Sequence, residues 1–223
     1  MALNSTTEQD WPKVNACAQR CPAVRPFLGV HPWWASEVAP GWQERLMAEL
    51  LRTGASIGEI GLDALIGASP AVQEAVFIPQ LEMAEHLGRP VTIHCCRRWG
   101  RLLELMTAIC RGRLVAIIHG FSGSVEVMRR LLDLGAMLSF GPNLANQARL
   151  KARQAFLAAP LDRILLESDW PPGNSDGHQP SALAMPGPEA ILAGLYAQAA
   201  ALRAEPPQRL QTMVWNNGQI FTH

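Results

Sequence analysis

Five polar side chains stand where a run of apolar residues ends: His31 after FLGV, Glu59 within IGEIG, His94 after VTI, His119 after AII and Asp169 after LLES. Imidazole nitrogens and carboxylate oxygens are the donors that zinc, manganese and similar divalent ions take. A polar residue has little reason to close an apolar strand unless it is paired, solvated or ligating. Any one of the five, alone, reads as a hydrogen-bonded surface group. Glu59 would then cap a turn, and Asp169 would start an Asx-turn. The recurrence of the same arrangement at five separate strand ends points instead to one shared metal or polar catalytic centre. The chemistry that suits such a centre is metal-assisted hydrolysis.

These residues need a scaffold that brings strand ends together. Short β-rich runs alternate with longer helical patterns. Strands are predicted at 25–30, 56–61, 90–94, 114–118, 136–140 and 163–167, with a short seventh at 2–5. Helices are predicted at 42–52, 70–87, 99–110, 124–134, 145–158, 188–203 and 206–215. Strands separated by helices of this length pair in parallel through right-handed crossovers. No Gly-rich phosphate loop follows any strand, so a nucleotide-binding doubly wound sheet is poorly supported. An α/β fold of the (β/α)-barrel type remains, and in it all strand C-termini converge on one face.

Composition narrows the function classes. Of 223 residues, 48% are hydrophobic and 17% charged, an ordinary globular balance that suits a single domain over 1–223. Nineteen basic residues equal nineteen acidic ones, which argues against wrapping nucleic acid by bulk charge but leaves room for a basic rim. No secretion signal or membrane-spanning stretch is visible. The five cysteines, with Cys95 and Cys96 adjacent, do not form a disulfide framework, so a cytoplasmic setting is expected. Cys17 and Cys21 have no second pair to complete a zinc finger.

The segments GVHPWW (29–34), IGEIGLD (57–63), PVTIHC (90–95), IIHGFSGS (117–124) and LLESDWP (165–171) resemble, in order and spacing, the TatD family of metal-dependent hydrolases. NNGQIF (216–221) is similar to that family's end, so the resemblance covers nearly the whole chain. It implies a TIM-barrel hydrolase with two divalent ions (zinc, magnesium or manganese) acting on DNA or another phosphodiester. By the same resemblance, Glu59 bridges the ions and His94 and His119 bind one of them. Asp169 binds the other and handles the attacking water. His31 lies near the scissile phosphate, and Asp63 orients a neighbour.

The sequence departs from that pattern in one respect: it contains no His-x-His, the motif that ends the family's first strand. Seven of eight βα units are therefore expected, with the first missing. One ion is favoured over two, activity is expected to be impaired, and exposed strand edges are open to self-association. The rival readings are an inactive TatD-like scaffold and a metal-dependent amide or lactone hydrolase.

Arg97, Arg98 and Arg101 follow His94 and are candidates for phosphate contact; the alternative is a solvated helical turn. Ser122 to Ser124 either donate backbone amides to phosphate or cap a helix. Trp33, Trp34, Trp99 and Trp170 either stack on bases or cover the barrel mouth, packing being favoured. Asp176 and His178 read as surface-loop residues.

Overall fold

The computed structural model describes residues 1–112, 114–169 and 186–221. Trp170, Asp176 and His178 lie outside the described residues.

Among the described residues seven strands form one parallel sheet in chain order: β1 (Ala2–Asn4), β2 (Arg25–Leu28), β3 (Ser56–Asp63), β4 (Val91–Cys96), β5 (Ala116–His119), β6 (Met137–Phe140) and β7 (Ile164–Leu166). Each pairs with its successor, and the crossovers carry helices α1 (Trp11–Arg20), α2 (Trp42–Thr53), α3 (Pro70–Leu87), α4 (Trp99–Ile109), α5 (Val125–Asp133) and α6 (Leu150–Ala158). Helices α7 (Pro188–Arg203) and α8 (Pro207–Gly218) follow β7. This is the TIM-type arrangement, with seven βα units of the eight that close such a barrel. Among the described residues, β1 and β7 are the sheet's edges.

Local chemistry explains the elements. In α2 the buried residues Trp42, Leu46 and Leu50 recur every fourth position and make one stripe. Helix α3 starts at Ser69, whose hydroxyl accepts from the Val72 amide, with Pro70 at the first position, and stops at Gly88 in a left-handed turn. Ser124 caps α5 in the same way, accepting from Val127 N. The main core lies between strands and helices, and includes Leu28, Ile57, Ile93, Ile118 and Leu138. A second cluster, Phe27, Ile117, Met137 and Leu165, draws one residue from each of β2, β5, β6 and β7. That is how the interior of a barrel is filled.

One expected boundary moves. The helix predicted from Ala145 begins at Leu150. The Asn146 side chain accepts from the Ala148 amide, a local turn that competes with the helix. Arg149 therefore stands at the helix cap and not inside it.

Candidate metal centre

Glu59 is aimed by backbone that only glycine permits. Gly58 and Gly61 flank it at φ 156° and 152°, a region closed to ordinary side chains. A Cβ on Gly61 would come within 1.9 Å of the His94 carbonyl oxygen, and one on Gly58 within 2.9 Å of Asn4 Oδ1. The β3–β4 pairing shifts register between Ile57 and Ile60, which turns Glu59 out of the regular ladder. Buried Ser5, just past β1, fixes the turn from the other side: Glu59 N donates to its carbonyl at 2.9 Å, and its hydroxyl accepts from Gly29 N at 2.8 Å.

Two buried glutamines on α3, two turns apart, hold the neighbouring strand ends. Gln80 Oε1 accepts from Val30 N at 2.7 Å, just before His31, and Gln80 Nε2 donates to Val30 O at 3.2 Å. Gln73 does the same for Asp63, at 2.7 and 2.8 Å. Across the sheet, His94 pairs directly with His119.

The strand-end residues meet around one oxygen. Glu59 Oε1 lies 3.4 Å from His94 Nδ1, 3.6 Å from His31 Nε2 and 3.8 Å from His119 Nε2. Asp169 Oδ1 is 3.4 Å from His119 Nε2. Two donors bound at about 2.1 Å to a tetrahedral ion stand about 3.4 Å apart, so this spacing fits a cation between them better than direct hydrogen bonds. His31, Glu59 and His94 offer donor atoms all within 4.8 Å of one another.

The imidazoles are not equivalent. His94 Nε2 faces Asp63 Oδ2 at 3.1 Å, and His119 Nδ1 faces Glu167 Oε2 at 2.9 Å. If each donates to its carboxylate, its other nitrogen turns a lone pair to the centre. His31 is the reverse: its Nδ1 accepts from Trp33 N at 3.3 Å, so the neutral ring carries its proton on Nε2, toward Glu59. His31 thus faces the centre as a donor. Asp63 is itself fixed by Trp33 Nε1 at 3.0 Å and by the Leu65 amide at 2.8 Å. Glu167 also accepts from Gly120 N at 2.9 Å.

Burial and charge act on these groups together. Burial would raise the Glu59 carboxyl, but His119, His31 and His94 hold it well below its ordinary range. Burial would lower the His119 imidazole, yet Glu167, Glu59 and Asp169 drive it well above. His94 is raised by Asp63 and Glu59 against the same burial. For His31 burial wins and the ring is lowered, consistent with a neutral imidazole. Three imidazoles and the carboxylates of Glu59 and Asp169 thus share one pocket, and such nitrogen and oxygen donors fit a divalent cation.

The other sequence candidates divide. Arg98, expected at a phosphate, is engaged by Glu74 at 2.9 Å, and Arg101 by Glu74 and Glu104 at 2.8 and 2.9 Å. A shared carboxylate on α3 neutralises both. Arg97, in a left-handed turn at φ 55°, is exposed with no ion-pair partner among the described residues. Ser122 lines a cleft beside Glu167 and Asp169, while Ser124 serves as the cap. Trp33 positions Asp63, Trp34 packs on the core, and Trp99 meets Phe121 at 5.1 Å. Glu167 is the site residue that sequence reasoning passed over. Its signal was a carboxylate directly after the apolar run of β7, two residues before Asp169.

Residues 1–222 match the family described as TatD related DNase. The chain belongs to that family. It is 31% identical over 204 residues to an uncharacterized metal-dependent hydrolase of Haemophilus influenzae, covering 87% of this chain and 76% of that one. It is also 31% identical over 201 residues to the 3'-5' ssDNA/RNA exonuclease TatD of Edwardsiella piscicida, covering 86% and 76%. The crystal structure of YJJV, a TatD homolog from Escherichia coli, superposes with a TM-score of 0.85 at 27% identity, covering 99% of this chain and 85% of that one. This TatD-family chain is thus a metal-dependent hydrolase. Among the described residues no helix is long and apolar enough to cross a membrane.

Proposed function

We propose that this chain hydrolyses phosphodiester bonds of single-stranded DNA or a similar nucleic acid, using one divalent ion held by Glu59, His94 and His119, with Asp169 beside it. The observation that carries this reading is the convergence of His94 Nδ1 and His119 Nε2 on Glu59 Oε1, at 3.4 and 3.8 Å. The names of the exonuclease relatives support the substrate class. Two imidazole donors favour zinc or manganese over magnesium. One ion is favoured because the chain has no His-x-His to complete a second donor set. Such an ion, when bound, acidifies water and neutralises charge on phosphoryl oxygens.

The chain's own groups divide the remaining work. Asp169, half exposed and 3.4 Å from His119, accepts the proton of the attacking water. His31 donates its Nε2 proton in a hydrogen bond to a phosphoryl oxygen, an interaction that strengthens as charge builds there. Asp63 and Glu167 keep His94 and His119 in the ligating tautomer. Among the described residues β1 and β7 each have one unpaired edge, which supports self-association of the chain through these edges.

The test is metal uptake by elemental analysis, with hydrolysis of a single-stranded oligonucleotide measured alongside. We expect fewer than two equivalents of divalent metal in the native chain, less in His94→Ala and in His119→Ala, and cleavage that falls with occupancy. A stoichiometry near two would overturn the single-ion assignment. Cleavage indifferent to metal removal would overturn the function.

A further inference from the structure

Two arginine side chains at the mouth have no partner among the described residues. Arg97 leaves the end of β4 in a left-handed turn, three residues after His94. Arg149 stands at the cap of α6, on a different crossover, and lines the cleft that also contains Ser122, Glu167 and Asp169. Both side chains are exposed, and neither makes a hydrogen bond or ion pair among the described residues. In the sheet order β4-β5-β6, Arg97 follows β4 and Arg149 follows β6, so the two stand on either side of β5, the strand that ends in His119.

Stability does not explain them. Arg98 and Arg101, one turn away, are neutralised by Glu74. Arg97 and Arg149 sit at the starts of α4 and α6, where a helix dipole disfavours positive charge. The cleft that Arg149 lines also carries the carboxylates of Glu167 and Asp169. The whole chain carries no net charge, so no bulk attraction draws in a polyanion. A phosphate chain approaching this centre needs local cations, and guanidinium is suited to phosphate oxygens.

We propose that Arg97 and Arg149 form a two-sided clamp on the sugar–phosphate backbone of a single-stranded nucleic acid, gripping phosphates that flank the one at the donor cluster. The clamp rests on the phosphodiesterase reading above and adds the residues that position its substrate. Arg149 joins from β6–α6 a set that sequence reasoning confined to the segment after β4.

The experiment measures binding of a labelled oligothymidylate to the full chain by fluorescence anisotropy, with no metal added and across a salt series. Arg97→Gln, Arg149→Gln and the double variant are compared with Arg129→Gln, an exposed cation on α5 outside the site. Each single clamp variant is expected to weaken binding roughly tenfold, the scale of one charged hydrogen bond. Each is also expected to shallow the salt dependence of log K by about 0.7, the contribution of one phosphate contact on a single strand. Arg129→Gln is expected to leave affinity and slope as they are. Native affinity and slope in the double variant would overturn the clamp, as would an equal loss in Arg129→Gln. So would a native chain that binds no oligomer. If the native chain binds with an arginine-dependent slope but cleaves no phosphodiester once metal is supplied, the clamp stands and the hydrolytic reading falls.

Discussion

His119 turns Nε2 toward Glu59 because its other nitrogen is held by Glu167 at 2.9 Å. The donors are only half of the centre; the carboxylates behind them decide which nitrogen is available. Glu167→Gln keeps the shape of the side chain and removes the charge that fixes the tautomer. It is expected to lower divalent-metal affinity about 10- to 100-fold while leaving the thermal unfolding of the metal-free chain nearly unchanged, measured by titration calorimetry and circular dichroism. An affinity equal to the native value would remove Glu167 from the positioning role. Asp10 allows a separate check on charge. Burial would raise its carboxyl, but hydrogen bonds from the hydroxyls and amides of Thr7 and Thr6 hold it below its ordinary range. A depressed folded-state value means stabilisation that is complete above the unfolded value, near pH 4, and lost as the pH falls through the folded one. Asp10→Asn is expected to flatten the acid limb of the stability curve in urea unfolding below about pH 4.

Among the elements, α3 does more than cover the sheet. Its buried Gln73 and Gln80 supply side-chain partners to backbone groups that leave the β-ladder beside Asp63 and His31. Without them, Val30 N–H and C=O would be buried and unpaired. Gln80→Leu is expected to cost about 2 kcal/mol or more in denaturant unfolding, because it strands two polar groups at once. A loss below about 0.5 kcal/mol would mean that water replaces the glutamine. The glycines of β3 do the complementary work. Gly61 lets the His94 carbonyl approach to a distance no side chain allows, and this brings Glu59 and His94 onto one rim.

Taken whole, the chain is a parallel sheet whose first and last strands each have one neighbour among the described residues. Strand edges are templates for pairing, and parallel sheets are normally covered or closed. Sedimentation velocity is expected to show association that grows with concentration. Substituting an exposed edge residue with lysine, as in Ala2→Lys, is expected to suppress it. A monomer that persists at high concentration would show that the edges are protected.

Periodicity is information carried along the chain, and the strand ends were legible from it. Each apolar run of a buried parallel strand closes on a polar residue, and the βα repeat sends all those closures to one rim. His31, Glu59, His94, His119 and Asp169 were found in this way, and the GEIGLD, IH and HGFSGS segments pointed to the family for the same reason. The pairing of charges through space has no such trace. Nothing in the order of residues says that Glu74 takes Arg98 and Arg101 while leaving Arg97, or that Asn146 delays α6 and leaves Arg149 at the rim. Nor does it say that Trp33 N leaves His31 facing the centre with an N–H, where His94 and His119 face it with the nitrogen left free by their carboxylates. Those outcomes depend on distances of a few ångströms between segments remote in the chain, where hydrogen-bond geometry and the competition for carboxylates are settled only once the helices have packed against the sheet.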